Sequence, residues 1–342
     1  MSTQGVLVVG DATIDLYPTD ATSITPGSRF EWHIGGTATN VARWAASLGS
    51  ETGLVTNIGT DIMGEMAAQH LAESPVDTTH VTRVDATSPL TLYAATEDDE
   101  HWTAWIAGSC YGFTPPADPA TLVSPYEWVH LEGVTLPADV NQTAVRRLAE
   151  AAAAAGTNVS FDLNGRTTQW PTPDAYRQAL QDVLQYCDLV FAGTDDLAVA
   201  GIDRTPAGVL ELLPPNHSAT AFITDGPAET TAMIVADGEV IEQVTATPPT
   251  ASVATTAGAG DAFAGAVLAA RHSGISDLKE LATIGNTAGA GDAFAGAVLA
   301  ARHSGISDLK ELATIGNTAG AAAVSTVGPF DTDRFGAMDR LR

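Results

Sequence analysis

The chain has 342 residues, and its 15 lysines and arginines against 41 aspartates and glutamates give a formal net charge of −26. Binding to nucleic acid requires a basic surface that neutralises phosphates, so this balance excludes a nucleic-acid partner. Hydrophobic residues make up 45% of the chain, which predicts a compact globular protein whose acidic side chains cover its surface, as suits a saline cytoplasm.

Lysine and cysteine are both scarce. The two lysines, Lys279 and Lys310, lie in Asp-Leu-Lys-Glu with no glycine before them, which excludes a P-loop. The cysteines Cys110 and Cys187 are too few for a disulfide framework. The N-terminal apolar run follows no basic segment, and no apolar stretch reaches the length of about 18 residues that a membrane span needs. We therefore predict a cytoplasmic protein that does not associate with membranes.

Runs rich in valine and isoleucine alternate with helical stretches, which is typical of βαβ units in a mostly parallel sheet covered by helices on both faces. One helix is predicted over Gln142–Ala155, with Asn141 as its N-cap and Gly156 as its stop signal. The predicted strands are Val6–Asp11, Thr52–Ile58, Trp128–Glu132, Asn158–Asp162, Leu189–Ala192 and Ala221–Thr224.

Two segments interrupt this alternation. Leu90–Ala107 is predicted to be a β-hairpin whose turn is Glu97–Glu100, and Met233–Val244 a second hairpin about Asp237-Gly238. A hairpin early in a parallel α/β chain suggests a lid over a site, and we assign the lid to residues 12–34 and 88–109.

The chain contains an exact tandem repeat. Thr256–Asn286 recurs without a change as Thr287–Asn317, a period of 31 residues. Solenoids need about three or more copies, so a single identical pair indicates a recent duplication or an error in the sequence. One copy fewer leaves 311 residues, which fits one large domain with a small accessory element as well as two domains; we predict a single domain over 1–342.

The most informative motif is Gly258-Ala259-Gly260-Asp261, which precedes a run of small helical residues. Glycines allow backbone N–H groups to face an anion, and a helix start adds its positive dipole end. An aspartate there can accept a proton from a hydroxyl while the amides stabilise a phosphoryl group. The alternative is a tight turn with a capping aspartate.

Three other segments favour the first interpretation. Gly35 and Gly36 lead into a helix that carries Asn40. Asp11 and then Asp15 follow a strand end, where open α/β sheets bind ligands. Asp162-Leu163-Asn164-Gly165-Arg166, with Trp170 four residues on, follows another strand end and supplies a guanidinium for anionic oxygens. Each alone could be a loop with satisfied polar groups.

Together, and in this order, these segments resemble the ribokinase or PfkB family of carbohydrate kinases. The resemblance implies a ribokinase-like three-layer α/β/α sandwich with a mostly parallel central sheet and a small β lid. It also implies transfer of the γ-phosphoryl group of ATP to a hydroxymethyl group of a sugar or nucleoside, with Mg²⁺, and a homodimer that pairs through the lid. The residue roles that it implies are Asp261 as base, Gly258, Ala259 and Gly260 as an anion hole, Asp15, Gly35, Gly36, Asn40 and Arg166 as substrate contacts, Asn164, Thr224, Gly226 and Asn317 as nucleotide contacts, and Asp196 as metal ligand.

The departures from the family pattern also matter. Thr255 stands where an acidic residue is associated with a monovalent cation, which puts activation by K⁺ in question. The family's Asn-x-x-Glu appears as Gly193-Thr194-Asp195-Asp196. The Asp162–Trp170 segment is similar to the fructokinase and 2-keto-3-deoxygluconate kinase branch, which favours a hexose or sugar acid. A nucleoside or ribose kinase, and a non-catalytic sugar- or nucleotide-binding protein disabled by the duplication, remain alternatives.

The repeat creates a second candidate base, Asp292. The first copy follows an upstream strand, as the family pattern requires, whereas the second follows a helical run. We therefore expect Asp261 to act and Asp292 to be a passenger, with Asn317 rather than Asn286 near the nucleotide.

Overall fold

The computed structural model describes residues 4–19, 24, 26–95, 101–106, 108–225, 229–246, 258–282 and 284. Its strands are β1 (Gln4–Val9), β2 (Thr13–Pro18), β3 (Phe30–Gly35), β4 (Thr52–Gly59), β5 (Val81–Val84), β6 (Leu90–Ala95), β7 (His101–Ile106), β8 (Tyr126–Glu132), β9 (Asn158–Asp162), β10 (Leu189–Gly193), β11 (Ala219–Thr224), β12 (Thr230–Ala236) and β13 (Glu239–Ala246). Its α-helices are α1 (Thr37–Ser47), α2 (Ile62–Ala72), α3 (Pro119–Val123), α4 (Asp139–Ala155), α5 (Pro173–Leu184), α6 (Thr194–Val199), α7 (Ala259–His272) and α8 (Leu278–Ala282).

Nine strands form the central sheet in the order β13-β12-β11-β10-β9-β8-β1-β4-β5. The strands from β11 to β5 pair in parallel, and β12 and β13 add an antiparallel edge. Side chains of α4 and α5 pack on one face, and those of α1, α7 and α8 pack on the other. The predicted three-layer α/β/α sandwich is therefore confirmed, and each of the six predicted strands coincides with an observed one.

Helix α4 begins earlier than the sequence predicts. It starts at Asp139 after Ala138, so the prediction of Asn141 as N-cap is wrong. Asn141 is instead buried in the first turns, where its amide lies against Gly112. Asp139 occupies the first turn, where its negative charge suits the positive end of the helix dipole. Gly156 ends the helix with φ 76°, as predicted.

A second, four-stranded sheet has the order β3-β2-β6-β7. It combines two antiparallel hairpins with a parallel pairing of β2 and β6, and β6 with β7 confirms the predicted hairpin. Its strands come from both segments assigned to the lid. Because side chains alternate along a strand, Asp15 and Tyr17 share one face of β2, while Ile14 and Leu16 on the other face pack in a small apolar cluster.

The second predicted hairpin is also confirmed. Strands β12 and β13 are joined by Asp237 and Gly238, with φ values of 52° and 77°. Two consecutive residues in the left-handed region are typical of a type I′ turn, for which Asp-Gly is a preferred sequence.

Helix α7 is held at its middle and at its C-terminal end. Midway along the helix, Gly265 packs against α1 so tightly that a Cβ there would lie 2.7 Å from Trp44 Cβ. At its end, the Arg271 guanidinium lies 5.5 Å from the centre of the Trp128 ring, and His272 Nδ1 lies 2.7 Å from Glu127 Oε2. These contacts fix the helix over β8.

Helices α7 and α8 come from the first copy of the repeat, whereas the second copy lies outside the described residues. Within the ranges that the structure describes, no helix is long and apolar enough to cross a membrane.

Candidate active site

The candidate site lies at the carboxyl ends of the parallel strands β1, β8 and β9. The first turns of α1 and α7 face it, and the polar face of β2 borders it. This is the edge at which open α/β sheets bind ligands.

Asp261 lies in the first turn of α7, three residues after Gly258. Gly258 is the N-cap of the helix and has a φ of 78°. The Asp261 side chain is 9% exposed, and its Oδ2 accepts a hydrogen bond of 2.8 Å from Asn40 Nδ2. Burial raises the pKa of Asp261 to about 6 against the lowering effect of the Asn40 hydrogen bond; Asp11 raises this pKa further, and Arg166 opposes the rise. Residues 221 positions apart thus meet in one polar pair.

Gly35 and Gly36 precede α1, and glycine is required at the two positions for different reasons. Gly36 has φ 98°, a conformation that favours glycine. Gly35 lies against Asp15, and a Cβ at Gly35 would overlap the Asp15 carboxylate. Asp15 is 2% exposed and accepts a 2.8 Å hydrogen bond from Thr13 Oγ1. Burial raises the pKa of Asp15 to about 7 despite this bond.

Asp11 caps the start of α1. Its Oδ1 accepts a hydrogen bond of 3.2 Å from the Ala38 amide, and its main-chain carbonyl accepts bonds from Thr39. Burial raises the pKa of Asp11 to about 6, while the hydrogen bond from the Ala38 amide lowers it in part. Asp11 therefore adds a second titratable carboxyl next to Asp261.

The loop after β9 also borders the candidate site, through a contact with the start of α1. Asn164, with φ 40°, donates a 3.1 Å hydrogen bond from Nδ2 to Thr37 Oγ1. Asp196 ties this loop to the end of β10, since its Oδ1 and Oδ2 each accept a 2.7 Å hydrogen bond, from the amides of Gly165 and Gly193 respectively. Arg166 is exposed beside this tie.

Some predicted site residues lie elsewhere or outside the described residues. Thr224 ends β11 and is half-buried; the neighbouring Asp225 accepts a 2.7 Å hydrogen bond from Thr194 Oγ1. Gly226, Thr255 and Asn317 lie outside the described residues.

Comparison with known families decides the assignment. The profile described as pfkB family carbohydrate kinase matches residues 3–288. The chain belongs to the pfkB family of carbohydrate kinases. It is accordingly a phosphotransferase with an alcohol group as acceptor.

Relatives of this pfkB-family kinase are named for different substrates. Fructokinase of Klebsiella pneumoniae is 29% identical over 270 residues, which cover 77% of this chain and 83% of the relative. Aminoimidazole riboside kinase of Salmonella typhimurium is 28% identical over 273 residues, covering 77% and 79%. The 2-dehydro-3-deoxygluconokinase of Thermoproteus tenax is 29% identical over 191 residues, covering 52% and 57%.

The fold has close structural counterparts. The crystal structure of fructokinase from Xylella fastidiosa with bound ATP matches with a TM-score of 0.69 at 20% identity, covering 98% of each chain. This likeness confirms the predicted ribokinase-like fold of the pfkB-family kinase.

Sequence reasoning missed two buried polar residues beneath the site, His130 and Glu132 on β8. Asp162 at the end of β9, which belongs to a predicted site segment, is also buried. Burial raises the pKa of Asp162 well above its usual range. The sequence signal of His130 and Glu132 is polar residues at alternate positions of an otherwise apolar strand.

Proposed function

We propose that this pfkB-family kinase transfers the γ-phosphoryl group of ATP to a hydroxymethyl group of a fructose- or 2-keto-3-deoxygluconate-like sugar, with Asp261 as general base. The observation that carries the proposal is the buried Asp261–Asn40 pair in the first turn of α7. A base works best when its pKa lies near the operating pH, and the Asp261 pKa of about 6 satisfies this condition.

Asn40 engages one oxygen of the Asp261 carboxylate, Oδ2. Because Oδ2 accepts from Asn40, Oδ1 is the oxygen that would receive the hydroxyl proton of the sugar. The sugar oxygen then forms a bond to the γ-phosphorus, the bond to the bridging oxygen breaks, and ADP leaves with that electron pair.

The start of α7 would stabilise the transferred group. The first amides of a helix have no intrahelical acceptor, so those of Ala259 and Gly260 can face the phosphoryl oxygens, with Gly258 shaping the turn. Arg166 is the cation that we assign to the anionic oxygens of the substrate.

The sugar contacts that we propose are Asp15, Asn40, Gly35 and Gly36. Two of them depend on each other, since the absence of a side chain at Gly35 leaves room for the Asp15 carboxylate. We assign Asn164 and Thr224 to the nucleotide side, at the ends of β9 and β11.

Asp196 suits a role in holding Mg²⁺. This ion usually binds through one or two protein carboxylates together with water and nucleotide phosphates. Each oxygen of Asp196 accepts one amide and keeps capacity for a second partner. When bound, the ion would neutralise charge on the phosphates.

A nucleoside or ribose kinase is the second candidate. It is favoured by the riboside kinase relative, which matches this chain over the same share as the fructokinase does. A screen that measures ADP release with fructose, 2-keto-3-deoxygluconate, ribose and adenosine separates the two. Turnover with either of the first two supports our proposal, turnover with adenosine or ribose alone supports the alternative, and binding without ADP release supports a non-catalytic protein.

We further propose that the four-stranded sheet acts as a lid, that two copies pair through it, and that the enzyme works in the cytoplasm. The polar face of β2, with Asp15 towards the site, supports the lid role. Light scattering of the purified protein tests the pairing, and a monomer at micromolar concentration would contradict it.

A further inference from the structure

A row of buried, hydrogen-bonded side chains lies beneath the candidate site and has no role in the proposed mechanism. His130 and Glu132 project from the same face of β8, and Ser160 lies beside His130 in the register of β8 with β9. All three side chains are 0% exposed. These side chains lie between the sheet and α7, and the row ends near Asp261.

Both ring nitrogens of His130 are engaged. Nδ1 lies 2.9 Å from Ser160 Oγ, and Nε2 lies 3.0 Å from Glu132 Oε1. Ser160 Oγ also lies 3.5 Å from the Val129 carbonyl, to which it can donate. The remaining oxygen, Glu132 Oε2, is buried and accepts from no described residue.

The surroundings of Glu132 disfavour a negative charge. Besides burial, the charges of Asp261, on α7, and Asp11, after β1, raise the pKa of Glu132, and Arg166, in the loop after β9, lowers it. Asp162 is the neighbour of Glu132 in the register of β8 with β9. A buried carboxylate with one oxygen lacking a donor is costly, whereas a neutral acid is much less so. Burial accordingly raises the pKa of Glu132 well above its usual range.

The hydrogen bonds also locate the proton. On Oε2 an acid proton would have no acceptor among the described residues, but on Oε1 it donates to His130 Nε2. Nε2 is then an acceptor, so the neutral ring carries its hydrogen on Nδ1 and donates it to Ser160, which donates to Val129. Burial lowers the pKa of His130 to about 3, consistent with a neutral ring.

We propose that Glu132 is a neutral carboxylic acid in the working enzyme, and that His130 and Ser160 are positioning residues that hold its proton on Oε1. As a neutral acid, Glu132 adds no further negative charge beside Asp261 and the incoming phosphates. This inference rests on the proposed role of Asp261 as base.

The first experiment reads the His130 ring directly. Nitrogen-15 NMR of the wild-type protein, with His130 assigned by the signal lost in His130→Gln, should show a neutral Nδ1–H tautomer from about pH 5 to 9. An imidazolium or an Nε2–H tautomer in this range would overturn the proposal. Because this readout needs no turnover, it stays valid even if Asp261 is not the base, which would be recognised by retained turnover in Asp261→Asn.

The second experiment compares pH profiles of kcat/KM, whose acidic limb reports the free-enzyme base. In Glu132→Gln the side-chain amide N–H donates to His130 Nε2 in place of the acid O–H. The pH midpoint of the acidic limb should therefore stay within about 0.3 unit of wild type. If Glu132 were ionised, its removal would lower the midpoint by about one unit. Asp11→Asn is the positive control: Asn keeps an oxygen for the Ala38 amide, while loss of the charge that raises the pKa of Asp261 should move the midpoint down.

Discussion

Asp261→Asn tests the proposed base against a control that the chain itself provides. Asp292 lies in an identical segment 31 residues on, so Asp292→Asn is the same substitution in the same local sequence. Asn keeps an oxygen that can accept from Asn40, so the site geometry should survive while the proton acceptor is lost. Loss of a general base costs about 10²- to 10⁴-fold in kcat, or about 3–5 kcal/mol of activation free energy.

The same substitution should stabilise the fold above neutral pH. Burial raises the pKa of Asp261 from 3.8 to about 6, so its effect on stability is absent below the unfolded pKa and becomes unfavourable as pH rises through the folded value. About two pKa units correspond to about 3 kcal/mol at pH 8, and the pKa of about 6 already includes the lowering effect of the hydrogen bond from Asn40. We expect Asp261→Asn to raise the free energy of unfolding by about 3 kcal/mol at pH 8 and by much less at pH 4.

Coupled ADP-release kinetics and urea unfolding at both pH values measure these effects. Asp292→Asn should change neither quantity. Turnover that survives in Asp261→Asn but not in Asp292→Asn would show that the second copy supplies the base. Equal differences in unfolding free energy between Asp261→Asn and wild type at pH 4 and pH 8 would refute the electrostatic reasoning about this carboxyl.

Three further substitutions or conditions test other parts of the structure. Gly35→Ala should displace the Asp15 carboxylate and raise KM for the sugar about 10- to 100-fold, the effect of losing a hydrogen bond to a charged group; an unchanged KM would remove Asp15 from the sugar contacts. In Asp196→Asn an N–H₂ group replaces one of the two carboxylate oxygens and faces a backbone amide that can only donate, so the free energy of unfolding should fall by about 1–3 kcal/mol. The control Asp195→Asn removes an exposed ion pair with Arg204 and should cost about 0–1 kcal/mol. Because the net charge is −26, the urea midpoint should rise as KCl increases from about 0.1 to 2 M, and equal midpoints would contradict adaptation to salt.

The central sheet was predictable because parallel strands buried on both faces appear as apolar runs. All eight residues of β4, for example, are buried. Strands β2 and β3 were assigned to the lid but not predicted as strands, since Asp15 and His33 interrupt their apolar pattern. The start of α4 was misplaced because both Asp139 and Asn141 are plausible at a helix N-terminus, and tertiary packing against Gly112 decided between them.

The candidate site was predictable only in part, because some of its contacts depend on how the chain folds and not on the local sequence. Glycine pairs and aspartates at helix starts leave a local pattern, so Gly36 and Asp261 were found. The bond of Asp196 to the Gly165 amide joins residues 31 positions apart, and the contact of His130 with Ser160 depends on strand register. Such relations arise only when the chain is folded.

Helix α7 is held at its middle and at its C-terminal end, while Asp261, the proposed base, lies in its first turn. A helix of 14 residues is about 20 Å long, so a tilt of only about 3° about its far end would carry the carboxylate through about 1 Å. A misplacement of about 1 Å can cost about 100-fold in rate. The contact of His272 with Glu127, at the opposite edge of the sheet from Asp261, therefore helps to hold the carboxylate of the proposed base in position.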